Sequence, residues 1–170
     1  LVTISFLFQF YWSYTSSPEQ VRNTIQKQIQ KRETDADKVL NDKDLITRLY
    51  QGRYSNVDFD RMYEKDYYIF LADINGDGAD VRFWNTQTVV PTADLWNKKK
   101  GTYFEKLING YYTVHRKNIE LTTGGTAAAI VLIPVKWNYF VTTNYLNNSF
   151  AYVPSIESHY SLSEEVSSHL

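Results

Sequence analysis

Residues 67–84 read YYIFLADINGDGADVRFW, and this stretch decides the fold class. Tyr67 to Ala72 is an apolar, aromatic run of strand length. Asn75-Gly76-Asp77-Gly78 supplies the residue types that accept a left-handed backbone and close a turn. Val81-Arg82-Phe83-Trp84 then alternates with a period of two, as a returning, half-buried strand does. Two strands joined this closely pair antiparallel, because a parallel pair needs a long crossover.

The same grammar continues downstream. Gly110 to Arg116 (GYYTVHR) reads as a third strand, Thr122-Thr123-Gly124-Gly125 as a turn, and Thr126 to Tyr139 (TAAAIVLIPVKWNY) as the longest strand. Pro134 lies inside that run and marks a bend or an edge position, since proline cannot donate to a ladder. Val89 to Gly101, with Pro91 and Lys98-Lys99-Lys100, reads as loop. Asn144 to Phe150 reads as a short helical piece before a polar tail.

Upstream the period changes. Ser17, Pro18 and Gln20 make a helix start, with a capping hydroxyl, a proline at the first helical position and an amide that reaches back to the cap. No Gly or Pro follows from Glu19 until Gly52, and Val21, Ile25, Ile29, Ala36 and Val39 trace a narrow apolar stripe. Asn41 or Asp42 starts a second, short helix whose apolar face is Leu45, Ile46, Leu49 and Tyr50, with Gly52 as its stop. A polar connection leads from there to the first strand. Helices first and strands after predict an α+β domain, a long N-terminal helix packed on an antiparallel sheet. The narrow stripe suits that packing, or self-pairing in a homodimer.

Leu1 to Trp12 carries no charge and only Thr3, Ser5 and Gln9 as polar residues. A stretch of roughly 18 Å of helix is too short for a bilayer core of about 30 Å. It reads as the outer end of a transmembrane helix, with Phe10, Tyr11, Trp12 and Tyr14 as an interfacial aromatic belt. A buried core segment and a signal peptide are the competing readings. The expected organisation is an anchor over residues 1–16 and a folded domain over residues 17–170.

Composition removes several function classes. A formal net charge of -1 gives no electrostatic footprint for nucleic acid. The absence of Cys removes disulfides, thiolate zinc sites and thiol nucleophiles. His115, His159 and His169 show no metal-ligand spacing, and no GxSxG, HExxH or P-loop context occurs. Asp73, Asn75, Asp77 and Gly78 match the first half of an EF-hand loop, but Trp84 stands where the bidentate Glu belongs, so an EF-hand is excluded. No catalytic residue, metal ligand or cofactor is nominated.

The aromatic content, 14 Tyr, 9 Phe and 4 Trp, points to recognition surfaces instead. Trp84 and Asn85 end one strand and Tyr112 begins another. Trp84 and Tyr112 offer flat faces, Asn85 a donor and an acceptor, and Arg82 and Lys136 charge for an anionic ligand. Parity puts Arg82 and Trp84 on one face of their strand and Phe83 on the other.

These segments also carry a resemblance. IFLAD (69–73), VRFWNTQTVVP (81–91), NGYYTV (109–114) and AAAIVLIPVKWNYFVTTNYLNNSFAY (127–152) resemble the extracytoplasmic segments of bacterial membrane-bound sensor histidine kinases. The matching details are Ile133-Pro134-Val135-Lys136 leading to Asn144-Tyr145-Leu146-Asn147-Asn148-Ser149-Phe150. The DINGDGAD loop departs from that pattern by its length. The resemblance implies a PAS-like or Cache-like sensor domain on the outer side of the inner membrane. It further implies an N-terminal membrane anchor, a homodimer, and a small ligand or periplasmic protein as stimulus. It implies, too, kinase modules outside this chain and no enzyme activity within it. The alternative is a cell-surface binding or adhesion module, calcium-dependent if the Asp73–Asp80 loop holds the cation.

Overall fold

A computed structural model describes residues 18–76, 78–142 and 147–153. Three helices come first, α1 (Pro18–Asn41), α2 (Lys43–Tyr50) and α3 (Asn56–Tyr63). Strands β1 (Tyr68–Asn75) and β2 (Gly78–Trp84) follow, then a one-turn helix α4 (Ala93–Asn97) and strands β3 (Gly101–Leu107), β4 (Gly110–Glu120) and β5 (Thr126–Trp137). The strands form one antiparallel sheet in the order β2-β1-β5-β4-β3. The architecture is α+β with the helical segment N-terminal, as the order of periodicities predicts.

The last strand sits at the centre of the sheet, and its composition explains why. Alternate residues of β5 enter two different cores. Ala129, Val131 and Ile133 join Ala36, Val39, Leu45, Leu49, Ile69, Leu71 and Phe83 beneath the helices. Ala128, Ile130 and Leu132 join Phe70, Leu95, Trp96, Tyr112 and Val114 on the opposite face. A strand buried on both sides reads as a continuous apolar run rather than an alternation. Central placement also corrects the expectation of an edge at Pro134. The proline is accommodated at a register shift, where Tyr111 pairs with Lys136 and Tyr112 with Pro134. Pairing with β1 ends before it, at Leu132. The missing N–H therefore interrupts no bond on the β1 side.

The long helix ends at Asn41, and the Asp42 carboxylate caps α2 by accepting from the Leu45 N–H. Ala36 and Val39 of the apolar stripe are buried against the sheet, with Ile29 packed beside them, so this half of the stripe packs within the chain. Polar contacts hold the second half of α1, over residues 32–37. Arg32 meets Asp66 at 2.5 Å, and its guanidinium lies 3.6 Å from the Tyr152 ring centroid. Lys117 meets Asp37 at 2.5 Å and His115 meets Glu33 at 3.1 Å.

Four segments differ from the sequence-based expectation. Residues 56–63 form α3 rather than an irregular connection, begun by a capping box between Ser55 and Asp58. Residues 101–107 form the edge strand β3, whose outer residues Glu105 and Lys106 blunt the edge and blur its alternation. Within 89–101, α4 buries Leu95 and Trp96 over the second face of the sheet. The described part of 144–150 is not helical, and Phe150 bridges to Lys136. No described helix is long and apolar enough to cross a membrane. The anchor expected over residues 1–16 and the Ser17 cap lie outside the described residues.

Candidate functional site

An opening in the surface lies beside β2, the end strand of the sheet among the described residues. It is a groove of about 710 Å³ between α3, the start of β1 and residues 82–88. Volumes in this range hold small ligands. One wall is aromatic. Tyr54 and Phe59 stack with centroids 5.9 Å apart and planes 21° off parallel, and Phe59 and Tyr63 follow at 6.1 Å and 17°. Tyr54 also meets the buried Phe83 edge-on at 5.6 Å, which ties the row to the core. A centroid step near 6 Å is well above the about 3.5 Å of full face-to-face contact, so the rings are offset and each leaves part of a face uncovered. Phe59 and Tyr63 are four residues apart on α3, which puts them on one side of that helix. Tyr63 is 68 % exposed, and Trp84, which also lines the groove, is 48 % exposed.

The expected site residues divide sharply. Arg82, Trp84 and Asn85 line the groove; Tyr112 and Lys136 do not. Tyr112 is fully buried in the opposite core, where its hydroxyl donates to Asn109 Oδ1 at 2.7 Å and its ring meets Trp137 edge-on. Burial pushes that hydroxyl up from the usual tyrosine range. Lys136 lies near the end of β5 with its ammonium 5.2 Å from the Phe150 ring centroid. Asn85 is 5 % exposed, and its amide is used by the backbone. Oδ1 accepts from the Ile69 N–H at 2.7 Å, and Nδ2 donates to the Met62 and Tyr67 carbonyls at 2.8 and 3.1 Å. That amide locks the end of α3 to the starts of β1 and the β2–α4 connection.

The expectation that Arg82 and Trp84 share a face is corrected by a bulge. Leu71 pairs with Phe83 but Ala72 with Val81, so Arg82 is the extra residue and the parity changes there. Val81 packs on the α4 side, Phe83 under the helices, and Trp84 pairs with Phe70 of the α4-side core. Arg82 reaches the helix side, donating from Nε to Asp73 Oδ2 at 2.9 Å and meeting Asp80 at 3.0 Å. Asp73 also accepts from the Tyr50 hydroxyl of α2. Tyr50 and then Arg82 hold the Asp73 carboxyl below the usual range, while the carboxylate pushes the Tyr50 hydroxyl up. Arg82 and Trp84 therefore approach the groove from the two sides of an edge strand. The carboxylates of Asp73 and Asp80 are committed to Arg82, and no group of three or more His, Asp or Glu among the described residues is arranged to hold a metal ion.

Lys65 carries the connection to the long helix. It lines the groove and also a second opening of about 550 Å³ alongside α1. Its ammonium meets Asp35 Oδ2 of α1 at 2.7 Å, and the Tyr67 hydroxyl donates to the same oxygen at 2.7 Å. The bond from Lys65, then that from Tyr67, holds the Asp35 carboxyl below the usual range. Sequence reasoning missed Tyr54, Phe59, Tyr63 and Lys65 together, because the segment was read as an irregular connection. The available signal was the Ser55-x-x-Asp58 cap followed by aromatics at 59 and 63.

Comparison with known proteins gives no match, whether to protein-family models, curated proteins or solved structures.

Proposed function

We propose that this chain is the extracytoplasmic sensing domain of a bacterial membrane receptor of the sensor histidine kinase kind, and that its stimulus is met in the groove beside Trp84. The domain has no catalysis of its own in this reading; it reports occupancy through α1 to a membrane anchor and a cytoplasmic kinase. The sequence resemblance supports it. So does the sheet order β2-β1-β5-β4-β3 with helices leading into it, which is the arrangement expected of a PAS-like or Cache-like sensor. That support is fold analogy, which bears on architecture more than on activity.

The observation that carries the reading is the position of Lys65. A single side chain stands in the groove wall and binds the long helix through Asp35. A ligand that draws Lys65 away, or holds it, changes one tether of α1. That is a differential contact between two states, which a ligand needs in order to shift an equilibrium. The receptor is read as a homodimer in the inner membrane, the usual setting for passing a small helix displacement across a bilayer.

The test is a signalling assay in the full receptor with Trp84→Ala and Tyr63→Ala, beside thermal melts of the domain. Tyr63 gives up one ring pair and Trp84 the covered half of its ring, so each change is expected to cost about 0.5–1.5 kcal/mol and leave the domain folded. Loss of response in a domain that still melts well above the assay temperature supports the reading. Unchanged response in both variants removes the groove from the signalling path.

A further inference from the structure

Resting on that reading of the groove, we propose that its ligand is a neutral carbohydrate of several rings rather than an anion. The argument begins with charge. The groove contains two cations, Lys65 and Arg82, and each is already matched to acid. Lys65 meets Asp35 at 2.7 Å, and Arg82 meets Asp73 and Asp80 at 2.9 and 3.0 Å. An anionic ligand would have to displace those carboxylates and leave them without a counter-charge, which is costly where water is partly excluded. The groove is thus poor at selecting charge, although two basic residues line it.

What the groove offers freely is flat aromatic surface with hydrogen-bonding groups at its rim. The offset row Tyr54, Phe59, Tyr63 exposes a partial face at each step, and the half-exposed Trp84 ring lines the same groove. An aromatic face is electron-rich, and the axial C–H groups of a pyranose ring are weakly positive, so a sugar ring rests on such a face in water. A row of part-covered faces suits a ligand with several flat, saturated rings better than one with a single planar ring, which a closed slot would grip. The exposed Gln87 side chain supplies an amide for sugar hydroxyl groups, and the Thr88 hydroxyl, which bonds Thr86 Oγ1 at 2.8 Å, keeps capacity for a second hydrogen bond. The opening of about 710 Å³ is roomy enough for more than one ring.

The experiment uses calorimetry and tryptophan fluorescence of the domain with cellohexaose, xylohexaose and maltohexaose as neutral probes and hexagalacturonate as the anionic one. At least one neutral hexaose is expected to bind. Its affinity should be unchanged between low and 0.5 M salt, and about tenfold weaker in Trp84→Ala, the order of one lost ring contact. Tyr63→Ala should weaken it in the same direction. Melting temperatures that stay well above the assay temperature in both variants separate loss of a contact from loss of the fold. The proposal is overturned if none of the three neutral probes binds. It is also overturned if hexagalacturonate binds tighter than all of them with an affinity that collapses in salt, or if binding is indifferent to Trp84. The outcomes for the sensory reading are separate. Signalling that depends on Trp84 without glycan binding removes the carbohydrate alone, whereas glycan binding that leaves receptor output unchanged removes the sensory role alone.

Discussion

Asn85→Ala is expected to be among the most damaging single changes beside the groove, although the residue has the appearance of a ligand contact in the sequence. The amide makes three hydrogen bonds to backbone groups at the end of α3 and the start of β1, the Met62 and Tyr67 carbonyls and the Ile69 N–H, at 2.7 to 3.1 Å. A typical internal hydrogen bond contributes about 1 kcal/mol net, and each buried group left without a partner costs about 1–3 kcal/mol. The Ile69 N–H lies in a residue with no exposure, so water cannot replace the lost acceptor there, whereas the Met62 carbonyl, equally buried, still accepts from the Lys65 N–H. The loss is therefore about 3–5 kcal/mol. For a chain of this length, about 2–4 °C per kcal/mol places the fall in melting temperature at roughly 6–20 °C. Asn85→Asp should be no better, since the carboxylate keeps the acceptor but loses both donors and buries a charge. Urea unfolding followed by far-ultraviolet circular dichroism measures the change. A destabilisation below about 1 kcal/mol for Asn85→Ala would refute the view that this amide holds α3 to the sheet.

Gly110→Ala should destabilise the domain by about 2 kcal/mol or more in the same assay, because a Cβ there would lie 2.4 Å from the Lys136 carbonyl oxygen, a backbone atom of the central strand. Acid should act through three carboxyls, Asp35, Asp58 and Asp73, all held below the usual range, with Asp58 drawn down to about 2 chiefly by Arg48. Depressed native values contribute stability that is fully present above the unfolded value of about 4 and lost as pH falls through the native one. The urea midpoint should therefore be level from pH 7 to about 5 and drop between about 4 and 2, less steeply in Asp58→Asn.

Much of the fold is legible in the sequence because its signals are local. The hairpin at 67–84, the long polar helix and the continuous apolar run at 126–137 each declare a period, and Asp42 declares a cap. The rest depends on partners distant in the chain. Edge strand β3 mixes Phe104, Glu105 and Lys106 so that no period stands out until β4 is placed beside it. Pro134 suggests an edge by local rules, yet the two-sided core places its strand at the centre and a bulge absorbs it. At the site, Trp84 is exposed as an aromatic recognition residue should be, but the bulge at Arg82 is invisible to parity counting and moves Arg82 to the helix side. Asn85 and Tyr112 have the chemistry of a binding site, and only three-dimensional neighbours reveal that their polar atoms are used internally.

The central claim is that the groove is coupled to the long helix through Lys65 and Asp35, and a double-mutant cycle on receptor output tests it most directly. Autokinase activity in membranes would be measured for Lys65→Met, Asp35→Asn and the double variant, with melts of each domain for comparison. The account predicts that each single change shifts output in the same direction and that the double variant matches the singles, because all three break one tether. Additive effects, or output unchanged in every variant, would contradict it.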